Sequence, residues 1–222
     1  MSESTHNVLE FYTALTLTNV EAASLEKETT GQQQNSKWWT ARKTRVTASR
    51  FGDILKRKSH VNDTFLRGLV GSQSSAEIHH MPEPLKHGIQ NEAKALQQYV
   101  SYMKHSGHPV TTFPSGFAVN PSFPFLGCSP DAKVIDQSES DPFGIVEIKC
   151  PYKNRTITPK TACNDTSFHL EMRNDLPSLK SDHRYYYQVQ GQLGVTGSKW
   201  CDFVTHTFVG MAIEKIFFHL CY

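Results

Sequence analysis

The sequence predicts one domain of the α/β or α+β class. A long amphipathic helix pattern covers residues 84–106 and a hydrophobic strand pattern covers 144–151. From Trp38 onward, the predicted elements run in the order helix, helix, strands, helix and two strands. The chain has 222 residues, of which 38% are hydrophobic and 20% are charged, which suffices for one sizeable core.

Residues 1–36 combine helical periodicity with a polar tail. The apolar residues that recur at helical spacing are Val8, Leu9, Tyr12 and Leu15. The tail over 29–36 is rich in Gln and Thr and predicts a loop. We therefore expect a helical preface and polar linker over 1–36, followed by the main domain over 37–222.

The helix predicted over 84–106 is the clearest element. The residues of its apolar stripe are Ile89, Ala93, Leu96, Tyr99, Val100 and Met103, and Gly107 ends the helix. Two short extended runs follow, over 110–113 and 116–119.

A turn rich in Pro and Gly leads from these runs to Asp131, and the strand over 144–151 ends in a proline. The remaining pattern predicts a helix over 182–195 and closing strands over 200–207 and 213–219. The main domain is thus expected to consist of helices packed on a sheet.

Overall charge does not by itself indicate a nucleic-acid partner. Lys and Arg total 23 against 21 Asp and Glu, a formal net charge of +2. A surface that faces DNA must therefore come from local clustering. One stretch has eight basic residues with Asp53 as its only acid: Lys37, Arg42, Lys43, Arg45, Arg50, Lys56, Arg57 and Lys58. A solvated helix face is the plainer interpretation of such a run.

The cysteines and the N-terminal residues indicate an intracellular protein. The five cysteines are an odd set without a C-x-x-C pair, which argues against a disulfide framework and a zinc ribbon. The N-terminus lacks the apolar core of a signal peptide, and no run approaches the ~18 apolar residues of a membrane span. We expect a location in the cytoplasm or nucleus, depending on the host, and no membrane partner.

The strand over 144–151 carries candidate catalytic residues. Side chains alternate between the faces of a strand, so Ile145, Glu147 and Lys149 share one face, and the other face is expected to be core. An ion pair on a half-exposed strand is the plainer interpretation of Glu-x-Lys alone. The preceding Asp131, on a turn of Gly, Ser and Pro, favours a site instead.

Two carboxylates beside a lysine suit metal-assisted phosphodiester hydrolysis. Mg²⁺ prefers oxygen ligands, and a bound metal ion generates hydroxide at neutral pH. Asp131 and Glu147 would bind Mg²⁺, or Mn²⁺ in its place, with the backbone carbonyl of Ile148, and Lys149 would orient the attacking water. Glu92 falls within the apolar stripe of the long helix, as a third acid of this site or as a salt-bridged residue at the core edge.

Six motifs in a fixed order give the sequence a family resemblance. They are Trp39-x2-Arg42, Arg45-Val-Thr-Ala-Ser49, Gly88-x3-Glu92, Cys128-Ser-Pro-Asp131, Val146-Glu147-Ile148-Lys149-Cys150-Pro151 and Tyr187-Gln188-Val189-Gln190. Each motif is weak alone, but the ordered set, from about residue 37 to 207, resembles the phage lambda exonuclease and YqaJ-type viral recombinase family.

The resemblance implies a PD-(D/E)XK fold of the restriction-endonuclease type, in which helices flank a central mixed sheet. It further implies a Mg²⁺-dependent 5′→3′ exonuclease over 37–222 that degrades linear double-stranded DNA in recombination or repair. Ring-shaped homo-oligomers around DNA and a single-strand annealing protein as partner also belong to this expectation.

The residue roles carried over by the resemblance fall into two groups. Asp131, Glu147 and Lys149 correspond to the catalytic core, with Glu92 reaching the metal through water and Gln188 near the active site. Arg42 and Ser49 correspond to residues that engage the terminal phosphate. From the residues alone, Arg45 is near enough to share that role, and Ser49 could instead cap the helix that contains Phe51, Ile54 and Leu55.

Other functions remain open at this point. A structure- or site-specific endonuclease of the same fold would use the same carboxylates with a different DNA entry. An inactive nuclease-fold module that only binds DNA is a second alternative, which the intact set of Asp131, Glu147 and Lys149 argues against. An unrelated hydrolase with carboxylate acid–base catalysis is a third, although it would not need Lys149.

Overall fold

A five-stranded mixed sheet forms the centre of the molecule. The computed structural model describes residues 3–70 and 81–219, without the side chains of residues 3–6. The predicted ranges 1–36 and 37–222 also include residues 1–2, 71–80 and 220–222, which lie outside the described residues. The strand order in the central sheet is β10-β9-β6-β5-β2, and only the β6–β9 pair is parallel.

The described strands are β1 (Val46–Thr47), β2 (Val110–Pro114), β3 (Ala118–Val119), β4 (Leu126–Cys128), β5 (Ala132–Asp136), β6 (Phe143–Lys149), β7 (Leu170–Arg173), β8 (Leu176–Leu179), β9 (Trp200–Thr207) and β10 (Gly210–Phe217). The described α-helices are α1 (Glu3–Leu15), α2 (Asn19–Glu28), α3 (Ser36–Lys43), α4 (Phe51–Leu55), α5 (Asp63–Leu69), α6 (Glu83–His105), α7 (Pro159–Ala162) and α8 (Arg184–Thr196). Two 3-10 turns cover Gln32–Gln34 and Ala48–Arg50.

The sequence predicted the long elements and the short strands β2 and β3, and it missed several other short elements. The predicted mixed sheet with flanking helices is confirmed, and α6, β6, α8 and β9 lie where periodicity placed them. The elements that were not predicted include the strands β1, β4 and β5, the helix α7 and the β7–β8 hairpin. The hairpin turns at Asn174 and Asp175, whose φ values of 50° and 63° suit the left-handed turn that hairpins prefer.

Both faces of β6 are buried: the expected core face is confirmed, and the face that carries Glu147 is buried as well. Val146 and Ile148 pack in a cluster with Tyr99 of α6, whereas Ile145 packs in a second cluster with Val189 of α8. The cause is the parallel pairing of β6 with β9, because the chain must cross over between parallel strands and α8 covers the second face on the way. Glu147 consequently lies in the interior.

The segment before residue 37 packs against the sheet region. The backbone N–H of Phe117 donates to Thr29 Oγ1 at 2.7 Å, and Lys133 pairs with Glu26 of α2 at 2.7 Å. Leu25 packs against the cluster that contains Trp38 and Phe117. Contacts therefore cross the boundary at residue 36, which stays a prediction.

Among the described residues, none of the helices combines the length and the apolar character that crossing a bilayer requires.

The close contact between Gly116 and α2 gives a stability prediction. A Cβ at Gly116 would lie 1.9 Å from the backbone oxygen of Glu26. We expect Gly116→Ala to lower the free energy of unfolding by roughly 3 kcal/mol, because a backbone atom cannot rotate away from the added methyl group. Chemical denaturation monitored by circular dichroism measures the change.

Gly88→Ala is the matched control, because nothing lies within 4 Å of a Cβ at this position in α6. It should leave stability unchanged or raise it by about 0.5–1 kcal/mol, since alanine favours helix. Equal stability of the two variants would contradict the docking of α2 on Gly116.

Candidate active site

Asp131 lies on the turn before β5 and is tied to β6 through its backbone and its side chain. Its N–H donates to the carbonyl of Val146 at 3.0 Å, and its Oδ2 accepts the N–H of Ile148 at 2.6 Å. Asp131, Ile148 and Glu92 of α6 line one cavity of about 670 Å³. The sequence-predicted Asp131, Ile148 and Glu92 are thus brought together.

Glu147 is enclosed between β6 and α8 and is only 2% exposed. Its Oε1 accepts hydrogen bonds from Lys149 Nζ at 2.5 Å and Gln188 Nε2 at 2.6 Å, and its Oε2 accepts from Gln192 Nε2 at 2.6 Å. Burying a carboxylate is costly unless donors and a counter-charge surround it, and here three donors meet it. Oε1 uses both of its lone pairs in these bonds, and Oε2 retains one for a metal ion.

Gln192 was missed by the sequence analysis, although a signal for it existed. It is 1% exposed and lies four residues after Gln188, on the same side of α8. The spacing alone could have paired the two amides on one carboxylate. Gln190, which the motif includes, instead donates to the carbonyl of Phe217.

Lys149 is held as a cation. Burial by itself would lower its pKa, but the nearby carboxylates of Glu147 and Asp131 outweigh burial and raise it. The ammonium group also lies 4.5 Å from the ring centroid of Tyr185, a second residue that the sequence analysis missed. Lys149 is therefore suited to donate to a water or hydroxide rather than to act as a base.

The pKa values of the other two carboxylates, Glu92 and Asp131, are raised in the absence of a cation. Burial raises the pKa of Glu92, and Glu147 raises it further while Lys149 opposes the change. Burial likewise raises the pKa of Asp131 well above its usual value, with Glu147 and Glu92 adding to the shift and Lys149 opposing it. A divalent cation would offset this shared cost.

The oxygen donors present fit a hard cation. Within residues 3–70 and 81–219, no three His, Cys, Asp or Glu side chains lie close enough to form a complete metal-ligand set. Mg²⁺ does not require one, because it usually binds one or two carboxylates and completes its shell with waters and phosphate oxygens. Asp131, Glu92 or Glu147, and the carbonyl of Ile148 supply such a partial set.

Arg42 lies on the other side of the Asp131 turn. Its guanidinium stacks 4.1 Å from the ring centroid of Trp38, whose Nε1 donates to Ser129 Oγ at 2.8 Å. Burial lowers the pKa of Arg42 to about 10, with Cys128 opposing the shift. In the described part of the chain no carboxylate pairs with Arg42. The desolvated guanidinium of Arg42 is therefore available to bind an anionic ligand.

Arg45 has a different role from the one the sequence suggested. It is 7% exposed, and its guanidinium donates to the carbonyls of Pro124, Ala41 and Leu15 at 2.9–3.2 Å. These acceptors belong to three separate segments, so Arg45 joins them. A guanidinium committed to buried carbonyls is not free to bind a phosphate.

Ser49 does not cap the following helix. It lies inside the 3-10 turn Ala48–Arg50, and α4 starts at Phe51 with Arg50 at the N-cap position. The inserted turn moves the helix start past Ser49, whose Oγ lies 3.0 Å from Thr47 Oγ1. Of the two sequence interpretations, the helix cap is wrong, and the phosphate contact stays a prediction.

Comparison with known proteins supplies a family and a fold. The profile of the YqaJ-like viral recombinase domain matches residues 37–199. No curated protein sequence matches the chain.

Solved structures share the fold at low sequence identity. LHK-Exo in complex with dAMP has a TM-score of 0.56 and 24% identity, and LHK-Exo from Laribacter hongkongensis, described as an alkaline exonuclease, has 0.54 and 23%; each comparison covers 83% of both chains. A SOX–DNA complex, SOX being a protein of Kaposi's sarcoma-associated herpesvirus, has 0.50 and 14%, over 84% of this chain and 58% of that one. At these identities the likeness establishes the fold alone.

A buried histidine beside the site gives a pH prediction. His169 is 5% exposed, bonds Thr205 Oγ1 through Nε2 at 2.8 Å, and shares a cavity wall with Lys149. Burial lowers the pKa of His169 to about 3, and the nearby His183, Lys149 and Lys180 contribute. Below pH ~6.5, His169 therefore binds a proton in the unfolded chain but not in the folded chain. The free energy of unfolding consequently falls as the pH falls.

We expect His169 to account for about 2 kcal/mol of stability lost between pH 8 and pH 5. His169→Gln, which keeps a hydrogen-bonding group and does not titrate, should flatten the pH profile of unfolding free energy by that amount. His60→Gln, at an exposed histidine, is the control. An unchanged slope in His169→Gln would show that His169 does not resist protonation.

Proposed function

The chain belongs to the YqaJ-like viral recombinase domain family, and on that premise we propose that it is a Mg²⁺-dependent 5′→3′ exonuclease that degrades linear double-stranded DNA. The observation that carries the proposal is the surplus of carboxylates around Lys149. Asp131, Glu147 and Glu92 interact electrostatically with one another, and Lys149 is the cation that opposes the raised pKa values of Glu92 and Asp131, with the N–H of Ile148 also lowering that of Asp131. LHK-Exo, an alkaline exonuclease that has been solved in complex with dAMP, agrees with nucleotide release.

In this mechanism the residues divide the work. Asp131, Glu147 and the carbonyl of Ile148 would hold Mg²⁺, Glu92 would reach the ion through water, and Mn²⁺ would substitute. The bound ion supplies positive charge that lowers the pKa of water and binds phosphate oxygens. Lys149 donates to the attacking water and stabilises its hydroxide form. The attacking water would give up its proton to solvent, and as its oxygen bonds to phosphorus the bond to the 3′ oxygen would break, with that oxygen taking a proton from solvent water.

The side-chain amides of Gln188 and Gln192 in α8 position Glu147, and Glu147 in turn positions Lys149. Gln188 and Gln192 donate to the two oxygens of Glu147, and Glu147 accepts from Lys149. The three donors fix the carboxylate of Glu147 in one orientation. The ammonium group of Lys149, which is hydrogen-bonded to it, is therefore already held in one rotamer. Such preorganisation reduces the entropy lost on reaching the transition state.

The 5′→3′ direction of degradation would come from Arg42, which would bind the 5′ end of a DNA strand. Its guanidinium is a planar fork of donors that matches phosphate oxygens two at a time. The Trp38–Ser129 hydrogen bond connects the stacked Arg42 to the turn that precedes Asp131. A 5′-phosphate bound by Arg42, with Ser49 as a second donor, would therefore be held in a fixed relation to the metal-binding turn.

The wider biological expectations belong to the same proposal. A role in recombination or repair, a ring-shaped oligomer and a single-strand annealing partner follow from the family resemblance. The alternatives remain a structure- or site-specific endonuclease and an inactive DNA-binding module, and no contact in the described residues favours either over an exonuclease.

Metal dependence is the first prediction of the proposal. Linear duplex DNA labelled at its 5′ end should release labelled mononucleotide in Mg²⁺ or Mn²⁺, release none in excess chelator, and release little in Ca²⁺, whose looser ligand geometry suits in-line chemistry poorly. Lys149→Met should reduce the rate by at least 100-fold, and Lys104→Ala, at an exposed lysine of α6, should not. Full activity in chelator would refute the mechanism, and cleavage of covalently closed circles would favour the endonuclease.

End recognition is the second prediction. The parent should prefer a 5′-phosphate to a 5′-hydroxyl duplex, and Arg42→Ala should lose most of that preference, with little rescue by Arg42→Lys because a lysine lacks the planar fork. Lys43→Ala, at the adjacent exposed cation, should either slow the degradation of both duplexes equally or leave both rates unchanged. If Arg42→Ala slowed both substrates and kept the preference ratio, Arg42 would contribute only general electrostatics.

A further inference from the structure

The 3-10 turn Gln32–Gln34 contacts the active site although it lies outside the matched family region 37–199. The side-chain Nε2 of Gln32 donates to two backbone carbonyls, at 2.9 Å to Pro130 and at 3.2 Å to Ser115. Pro130 immediately precedes Asp131. Gln32 also lines the cavity that contains Asp131 and Glu92.

The backbone at this turn adopts a costly conformation. Gln32 has φ +44° and follows Gly31 at φ +89°. A non-glycine residue in the left-handed region costs roughly 1–2 kcal/mol. Hydrogen bonds hold the conformation: Gln32 N–H donates to Thr29 O at 3.1 Å, and Gln32 O accepts from Asn35 N–H at 2.9 Å. A strained residue held in place by its surroundings is a feature that functional sites often show.

The turn that carries Asp131 is held at three consecutive residues. Trp38 donates to the side chain of Ser129, Gln32 donates to the carbonyl of Pro130, and Ile148 donates to the carboxylate of Asp131. The first two donors come from the N-terminal part of the chain, and the third comes from β6. Removal of Gln32's amide would leave the peptide bond just before Asp131 without its side-chain partner.

We propose that Gln32 is a positioning residue for Asp131, which it orients for metal binding by fixing the Pro130 carbonyl. The inference rests on the proposed function, because it takes Asp131 to be a metal ligand. It assigns to the polar segment over 29–36 a part of the active site. Partners that orient a metal ligand commonly contribute about 10- to 100-fold to metal affinity.

Two variants separate the amide from the backbone. Gln32→Met keeps the length of the side chain and removes the donor. Gln32→Gly also removes the donor and tolerates the left-handed φ at no steric cost. Gln97→Met, at an exposed glutamine of α6, is the control for a Gln-to-Met change.

The test is calorimetric titration of the full chain with Mn²⁺ in the absence of DNA, with thermal unfolding measured in chelator. We expect Mn²⁺ to bind at least tenfold more weakly to both Gln32 variants than to the parent and to the Gln97→Met control. Gln32→Gly should keep the unfolding temperature within a few degrees of the parent, which separates the metal effect from general destabilisation.

The outcomes distinguish a failure of the role of Gln32 from a failure of the proposed metal mechanism. If both Gln32 variants bound Mn²⁺ like the parent, whatever their unfolding temperature, Gln32 would be only a structural tie and the inference would be overturned. If the parent itself bound no Mn²⁺, the proposed metal mechanism would fail, and the role of Gln32 with it.

Discussion

The structure depends on the burial of one carboxylate, that of Glu147. A charge in the interior must be met by donors and a counter-charge, and Glu147 receives Lys149 from its own strand and two glutamines from α8. This requirement fixes the rotation of α8 against β6, because only one face of the helix presents Gln188 and Gln192 one turn apart. The same requirement keeps Lys149 beside the cavity that Glu92 lines.

A second buried acid lies on the neighbouring strand and shows what a purely structural carboxylate looks like. Asp202 of β9 is 1% exposed, accepts from Tyr99 Oη at 2.6 Å, and pairs with Lys215 at 3.0 Å. Lys215 in turn lies 3.4 Å from the ring centroid of Trp200. Lys215 also pairs with Glu139 at 3.5 Å, and the nearby Asp136 raises the pKa of Asp202, so Asp202 shares its cation with another acid much as Glu147 shares Lys149. The candidate active site differs in that two of its acids, Asp131 and Glu92, line a cavity.

Sequence patterns predicted the elements whose signal is local. Helix α6 and strand β6 follow from periodicity, and the same-face pairing of Glu147 with Lys149 follows from strand alternation. What the patterns could not predict depends on partners far along the chain. From the sequence alone, Arg45 resembles a phosphate ligand, because its acceptors on Pro124 and Leu15 lie far along the chain. The amide of Gln32 likewise cannot be given a role before the carbonyls of Ser115 and Pro130 are placed beside it. Backbone carbonyls are identical in every residue, so no sequence motif marks the one that a side chain will reach.

The parallel pairing of β6 with β9 also sets when the site can exist during synthesis. Ile145 pairs with Cys201 and Lys149 with Thr205, so each contact closes a loop of 56 residues, 201 minus 145 or 205 minus 149. Such non-local pairing forms slowly, because chain entropy must be lost before the contacts form. A nascent chain on the ribosome therefore carries Asp131, Glu147 and Lys149 long before β9 and α8 emerge to enclose them. Gln188 and Gln192 can donate to Glu147 only after α8 has been translated, so the enclosure of Glu147 forms later than the pairing of β5 with β6.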